Sequence, residues 1–223
     1  MNVLGVDLSP IQPSGFPSNC SFRVQNVETE WDSDERFDLI HARAMIVAFT
    51  DWPQFFKNCY KYYCLLALIK ILTEYRYLKP GGYIELHEFC LPTSSLSGVV
   101  TSPGLEYTKL LSTMLSNMGR DPSAPAKWEE QLQAAGFKDL YMKWDKWPIG
   151  PWAKGQKNQI LGQLFARNTT EGVNTVAPIL SRQNWDPEQI KLLIQKTQTE
   201  FSDPGAKSYL YSELCYCYAQ KPE

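Results

Sequence analysis

The stretch Leu78-Lys79-Pro80-Gly81-Gly82-Tyr83-Ile84-Glu85-Leu86-His87-Glu88-Phe89 decides the fold, because a strong turn signal is followed in it directly by a strand signal. Proline cannot continue a helix and glycine accepts positive φ, so Pro80-Gly81-Gly82 predicts a turn at the end of a helix. The apolar-rich run Tyr83 to Leu86 predicts a short buried strand. A helix that ends where a strand begins indicates an α/β domain.

Three further apolar runs predict strands upstream of this stretch. Val3 to Val6 predicts a buried strand whose carboxyl end presents Asp7. Phe22 to Val24 predicts a second strand. Phe37 to Ile40 predicts a third, with His41-Ala42-Arg43 as its exit. Ligands of open α/β sheets bind outside the carboxyl ends of the strands, so the polar residues at these exits are candidate ligand contacts.

The C-terminal half continues the alternation of helices and strands. A helix in this half is predicted to stop at Gly136, since glycine favours the left-handed conformation that ends helices. Asp186-Pro187 has the N-cap and proline start of another helix. The predicted helices are Leu105 to Asn117, Lys127 to Phe137, Lys154 to Arg167 and Asp186 to Phe201, and the predicted strands are Leu140 to Trp147 and Tyr209 to Tyr218.

Taken together, three segments resemble the core of class I S-adenosylmethionine (SAM)-dependent methyltransferases: Gly5-Val6-Asp7-Leu8-Ser9-Pro10, Phe37 to Arg43, and Leu78 to Phe89. The segment Trp147-Pro148-Ile149-Gly150-Pro151-Trp152 resembles the fungal secondary-metabolism branch in particular. The resemblance implies one α/β domain over residues 1–223, with a Rossmann-like sheet and flanking helices. The family opens with a strand and a glycine-rich turn that this sequence does not show, so we expect the first, central strand to be missing.

The same resemblance implies a cofactor-binding role for the residues after the first two strands. Asp7 would accept hydrogen bonds from the ribose hydroxyls of SAM, with Leu8 beside it. Asn26 and Val27 would lie against the adenine, although the family usually has aspartate where this chain has Asn26. An asparagine carbonyl can still accept that hydrogen bond. Glu28 and Glu30 follow, and we interpret both as the solvated first turn of a helix.

His41 and Arg43 would line the methionine end of the cofactor in a protein of this family. The alternative is a histidine packed at a strand end and an arginine on the surface. Side chains alternate along a strand, so His87 should share a face with Glu85 while Glu88 lies on the other face. His41, His87 and Glu88 are the catalytic candidates for taking a proton from an acceptor, although methyl transfer also proceeds by proximity and alignment alone.

Composition restricts the partners and the cellular location. A net charge of -2 and a pI of about 5.8 give no basic field for nucleic acid, so a small-molecule acceptor is expected. Six cysteines without paired metal-ligand spacing predict no metal site, and Cys215 and Cys217 are expected to pack in the core. No signal peptide is evident, so a cytoplasmic location is expected, or a nuclear one for a regulator.

Residues 62–76 form an atypical insert relative to the family pattern. The run is mostly apolar and lacks a polar stripe, yet with Lys70 inside it the run is too short to span a membrane. A translated intron would explain it, since Leu72-Thr73-Glu74-Tyr75-Arg76 is what a branch point followed by a splice acceptor could encode. A genuine lid or dimerisation helix is the alternative.

Three classes of function fit these patterns. A SAM-dependent methyltransferase acting on a small molecule in fungal secondary metabolism is the main prediction. A non-catalytic, methyltransferase-like regulator acting through protein partners is the alternative. A nicotinamide-dependent Rossmann enzyme also carries an acidic residue near the first strands, but Lys79-Pro80-Gly81-Gly82 before a strand and the closing strand Tyr209 to Tyr218 argue against it.

Overall fold

The computed structural model describes residues 2–29, 36–60, 77–203 and 205–223. The strands are β1 (Val3–Asp7), β2 (Cys20–Val24), β3 (Phe37–Arg43), β4 (Leu78–Phe89), β5 (Ser94–Ser95), β6 (Lys138–Pro148) and β7 (Leu210–Gln220). The α-helices are α1 (Trp52–Tyr60), α2 (Pro103–Asn117), α3 (Trp128–Ala135), α4 (Gln156–Gly172), α5 (Ala177–Arg182) and α6 (Pro187–Ser202). Short 3-10 helices cover Ala124–Lys127 and Val173–Val176. The insert at 62–76 lies outside the described residues.

The strands form two sheets. β1 and β2 pair in parallel as a two-stranded sheet. In the larger sheet β3 pairs in parallel with β4, and β7 lies antiparallel to β4, β5 and β6. This mixed sheet with intervening helices confirms the predicted α/β, Rossmann-like class. Within the described ranges, β1 pairs only with β2 and β3 only with β4, so each of these two strands has one unpaired edge.

β4 begins earlier than the sequence indicated. We predicted a turn at Pro80-Gly81-Gly82 and a strand from Tyr83, whereas the strand begins at Leu78 and contains the three turn residues. Gly81 has φ of 76° and donates its N–H to the carbonyl of Lys221 at 2.9 Å. Lys221 in turn donates its N–H to the Gly82 carbonyl at 2.8 Å. The segment is therefore an irregularity inside the strand, to which the C-terminal chain is hydrogen-bonded.

One hydrophobic core lies between the larger sheet and helices α1 and α3. Trp52 of α1 and Trp128 of α3 have ring centroids 4.9 Å apart, and Trp128 is fully buried. Cys215 and Cys217 of β7 are buried in the same core, which confirms their predicted packing role. Burial raises the pKa of each of these two thiols to about 12, so they remain protonated at neutral pH.

A second core forms where α2, α4 and α6 pack together with the start of β7. Two caps agree with the sequence: Gly136 ends α3 in the left-handed conformation, and the Asp186 carboxylate accepts two backbone N–H groups of α6. Ser102 caps α2. Among the helices described, none combines the length and apolar character needed to cross a membrane. The helices therefore complete a layered α/β arrangement around the larger sheet.

Candidate functional site

Asp7 and Asn26 lie at the same edge of the two-stranded sheet, because β1 and β2 are parallel and Asp7 is in register with Val24. The Asp7 carboxylate is exposed, and its Oδ1 accepts the N–H of Ser9 at 2.8 Å. The Asn26 Oδ1 accepts the N–H of Glu28 at 2.9 Å. Both side chains therefore stabilise tight turns at the carboxyl ends of their strands, where ligands of α/β sheets bind.

Glu28 joins the turn after β2 to the segment that follows β3. Its Oε1 accepts hydrogen bonds from the N–H of Thr50, from the Thr50 hydroxyl at 2.9 Å and from the N–H of Asp51 at 3.0 Å. Partial burial opposes ionisation, but these hydrogen bonds and the charge of Arg120 outweigh it and hold the pKa of Glu28 below its ordinary value. The interpretation of Glu28 as a solvated helical turn is therefore wrong, and Glu30 lies outside the described residues.

His41, Glu85 and His87 form a cluster on one face of β3 and β4, and no local sequence signal joins His41 to the other two. His41 is in register with Glu85, and its Nδ1 lies 2.7 Å from Glu85 Oε2. His87 Nε2 lies 3.4 Å from Glu85 Oε1, and the two imidazole rings stand nearly perpendicular with centroids 5.1 Å apart. A carboxylate only accepts hydrogen bonds, so Nδ1 of His41 donates to it, and in the neutral imidazole Nε2 is then an acceptor.

His41 and Arg43 belong to β3 itself, which corrects the prediction that they form its exit. Arg43 is exposed and in register with His87. Alternation along β3 places Arg43 on the same face as His41. The face of the sheet that carries the cluster therefore also carries a permanent cation.

Glu88 lies on the opposite face and does not join the cluster, as the alternation along β4 predicted. Its side chain is buried, with 1% exposure. Its Oε2 accepts the N–H of Ile46 at 2.7 Å, and its Oε1 accepts the N–H of Phe89 at 2.9 Å. Burial raises the pKa of Glu88 to about 7 even though these hydrogen bonds lower it. Glu88 thus fixes the loop after β3 from within the core and is separated from His41 and His87.

Sequence reasoning missed the contact of Glu85 with His41 and the contacts of Glu28 with Thr50 and Asp51, because these partners are distant in the chain. Alternation placed Glu85 beside His87 on one face, but only the parallel register of β3 with β4 brings His41 to it. That register could be anticipated from two parallel strands ending in polar residues. Glu28 carried no comparable signal, since its partners Thr50 and Asp51 lie in a loop.

Parallel strands with polar residues at their carboxyl ends, in a mixed sheet closed by an antiparallel C-terminal strand, define the Rossmann-like methyltransferase class. A sequence model described as "Methyltransferase domain" matches residues 1–141. The chain belongs to this methyltransferase domain family.

Curated relatives come from fungi. The chain is 30% identical over 196 residues to "Methyltransferase pytC" of Aspergillus terreus, an alignment that covers 86% of this chain and 56% of that protein. It is 24% identical over 233 residues to "Secondary metabolism regulator laeA" of Aspergillus flavus, covering 99% of this chain and 57% of that protein. The chain thus spans about half the length of the curated relatives it matches.

Solved structures share the fold at low identity. The crystal structure of the [4+2]-cyclase SpnF superimposes with a TM-score of 0.51 and 16% identity, covering all of this chain and 67% of that one. At this identity the likeness shows the Rossmann-like fold alone.

Proposed function

We propose that this chain is part of a SAM-dependent methyltransferase that transfers a methyl group to an oxygen, nitrogen or carbon atom of a small molecule in fungal secondary metabolism. Family membership and the similarity to pytC support the reaction class. The observation that carries the proposal is the set of hydrogen bonds accepted by Glu28. They join the turn beside Asn26 to the segment that follows β3, which supports a site formed between these two segments.

The donor and acceptor groups of the candidate cofactor residues fit SAM. Asp7 offers an exposed carboxylate of which only Oδ1 is hydrogen-bonded within the described part of the chain, so Oδ2 can accept a ribose hydroxyl. Leu8 is exposed beside it, and Asn26 with Val27 would contact the adenine. Arg43 would lie toward the methionine end. When bound, SAM supplies a methyl group on a positively charged sulfur.

His41 is suited to take the proton that an acceptor loses on methylation. Glu85 holds the imidazole through Nδ1, which leaves Nε2 free to accept a proton from a hydroxyl or amine. We therefore propose Glu85 as a positioning residue for His41, with His87 packed against the same ring. The buried position of Glu88 favours a structural role for that carboxylate over the predicted role as a base.

A regulatory function is the second candidate, because proteins named secondary metabolism regulator laeA align with 99% of this chain. A regulator of this kind would act through a protein partner and in the nucleus, whereas the enzyme would act on a small-molecule acceptor in the cytoplasm. SAM binding and its dependence on Asp7 separate the two functions.

Replacing Asp7 tests the cofactor site. In a protein that includes the opening strand and glycine-rich turn of the family, isothermal titration calorimetry should show SAM binding that Asp7→Ala weakens by about 1.5–3 kcal/mol, the range for a hydrogen bond to a charged group. Asp38→Ala is the matched control, because Asp38 is an exposed carboxylate on β3. Its partner is Lys79 of β4, at 2.7 Å. Equal affinities for Asp7→Ala and the unmodified protein would remove Asp7 from the site, and no binding by the unmodified protein would favour the regulatory function.

A further inference from the structure

We propose that His41, Glu85 and His87 form a binding site for a divalent transition-metal ion such as Zn²⁺. This departs from our expectation of no metal site, which considered the spacing of the cysteines alone. The proposal does not rest on methyl transfer, since it concerns only the three side chains of the cluster. Their nearest ligand atoms all lie within 4.8 Å of one another.

The distances within the cluster are close to those that a tetrahedral ion requires. With bonds of about 2.0–2.2 Å to nitrogen and oxygen, two ligands on tetrahedral zinc lie about 3.4 Å apart. His87 Nε2 lies 3.4 Å from Glu85 Oε1 and His41 Nδ1 lies 2.7 Å from Glu85 Oε2, so the two imidazoles contact different oxygens of one carboxylate. The three ligand atoms lie within 4.8 Å of one another, so the side chains must shift by up to about 1.4 Å to surround one ion. All three side chains are partly exposed, so they can make this adjustment without moving the core.

The chemistry of the three donors favours zinc or a similar ion over calcium or magnesium. Two imidazoles and one carboxylate are the ligands of open zinc sites, whereas calcium and magnesium prefer oxygen alone. The sequence has only two histidines, and both belong to this cluster, so no other histidine in the chain competes for the ion. Three protein ligands leave a fourth position open for water or another ligand.

Neighbouring groups hold one ligand in place and limit the affinity. The ring of Tyr216 packs edgewise against His87 with centroids 4.8 Å apart, which restricts the imidazole. Lys143 lies 5.6 Å from the centre of the Tyr216 ring, but Asp145 pairs with it at 2.7 Å. Arg43 is the cation that opposes a bound metal, so Arg43→Gln should tighten metal binding.

A bound metal would also change the proton on His41. Ligation through Nδ1 leaves the imidazole proton on Nε2, so Nε2 becomes a donor. The loaded form therefore cannot use that nitrogen as a base. Metal binding and the proposed base role of His41 are alternative states of one cluster, and each can be tested separately.

Metal titration of the chain without a histidine tag tests the site. After treatment with a chelator and removal of the chelator, Zn²⁺ should bind in calorimetry with one equivalent per chain. Co²⁺ should give visible d–d absorption without the near-ultraviolet charge-transfer band of a thiolate. Glu85→Gln, which keeps the size of the side chain, and His87→Ala should each weaken binding at least about 10–100-fold, the effect of removing even an outer partner of a metal ligand.

Glu106→Gln is the matched control, because it removes an exposed carboxylate on α2 and leaves the cluster intact. Thermal unfolding of each metal-free variant checks that it folds. Binding that survives both Glu85→Gln and His87→Ala, or a thiolate band with Co²⁺, would overturn the proposal, as would no binding by the unmodified chain. Titration of the chelator-treated protein with SAM measures cofactor binding separately, so the two proposals can fail independently.

Discussion

Replacing Glu88 by glutamine should change how stability depends on pH. Burial raises the pKa of Glu88 to about 7 in the folded protein, against an ordinary value of 4.5. The folded state therefore favours the protonated acid, and below about pH 4.5 the group is protonated in both states. As pH rises from about 4.5 to 7, the unfolded chain loses the proton first, so the free energy of unfolding falls.

The size of this effect follows from the two pKa values. A difference of one pKa unit corresponds to about 1.4 kcal/mol, so ionisation of Glu88 costs the folded protein about 3 kcal/mol by neutral pH. Glutamine does not titrate. The carboxylate of Glu88 accepts hydrogen bonds from the N–H groups of Ile46 and Phe89, and the amide nitrogen of glutamine would face one of these two donors. That mismatch costs about 1–3 kcal/mol at all pH values.

Urea denaturation followed by tryptophan fluorescence, from about pH 5 to about pH 8, measures both effects. Glu88→Gln should be less stable than the unmodified protein at the acidic end, by up to about 2 kcal/mol, and equally or more stable at the basic end, so the two curves should meet or cross as the pH rises. Glu130→Gln, which changes an exposed carboxylate on α3, should leave the pH dependence unchanged. Parallel curves for Glu88→Gln and the unmodified protein would refute the reasoning that burial controls this carboxyl group.

Two further predictions concern packing and the loop after β3. Gly162→Ala should cost at least about 1–3 kcal/mol of stability, because a Cβ there would lie 2.0 Å from the carbonyl oxygen of Gly150. Gly172→Ala in the same helix is the control, because a Cβ there meets nothing within 4 Å and should be neutral or stabilising. Thermal unfolding that ranks the two variants equally would contradict this. Glu28→Ala should lower the urea unfolding free energy by about 1.5–3 kcal/mol, since it removes the acceptor shared by Thr50 and Asp51. Unchanged stability would show that the two loops do not depend on Glu28.

The sequence was informative where the signal is local. Apolar runs located the main strands, the glycine signal placed the end of α3 at Gly136, and the N-cap signal placed the start of α6 at Asp186. Alternation along β4 correctly separated Glu85 and His87 from Glu88. These features depend on residues within one or two turns of one another, and a single sequence contains them in full.

The features that the sequence did not predict depend on contacts between residues distant in the chain. Pro80-Gly81-Gly82 has every local property of a turn, and it is held inside a strand because Lys221 hydrogen-bonds to it from the far end of the chain. The pairing of His41 with Glu85 depends on the register of two strands, and the role of Glu28 depends on a loop that packs against it. Contacts between distant segments decided each of these features, and no local pattern encodes them.

The central position of β7 has a consequence for the order of folding. This strand pairs with β4, β5 and β6, yet it comes last among the strands in the chain, at Leu210–Gln220. During synthesis, the parallel pair of β3 and β4 can be joined to β6 through β7 only after the ribosome has released residues 210–220. Pairings between such distant segments carry a large loop-closure entropy and fold slowly. Until then β4 and β6 each present an open edge at which other nascent chains can pair, and slow capture of β7 lengthens this exposure.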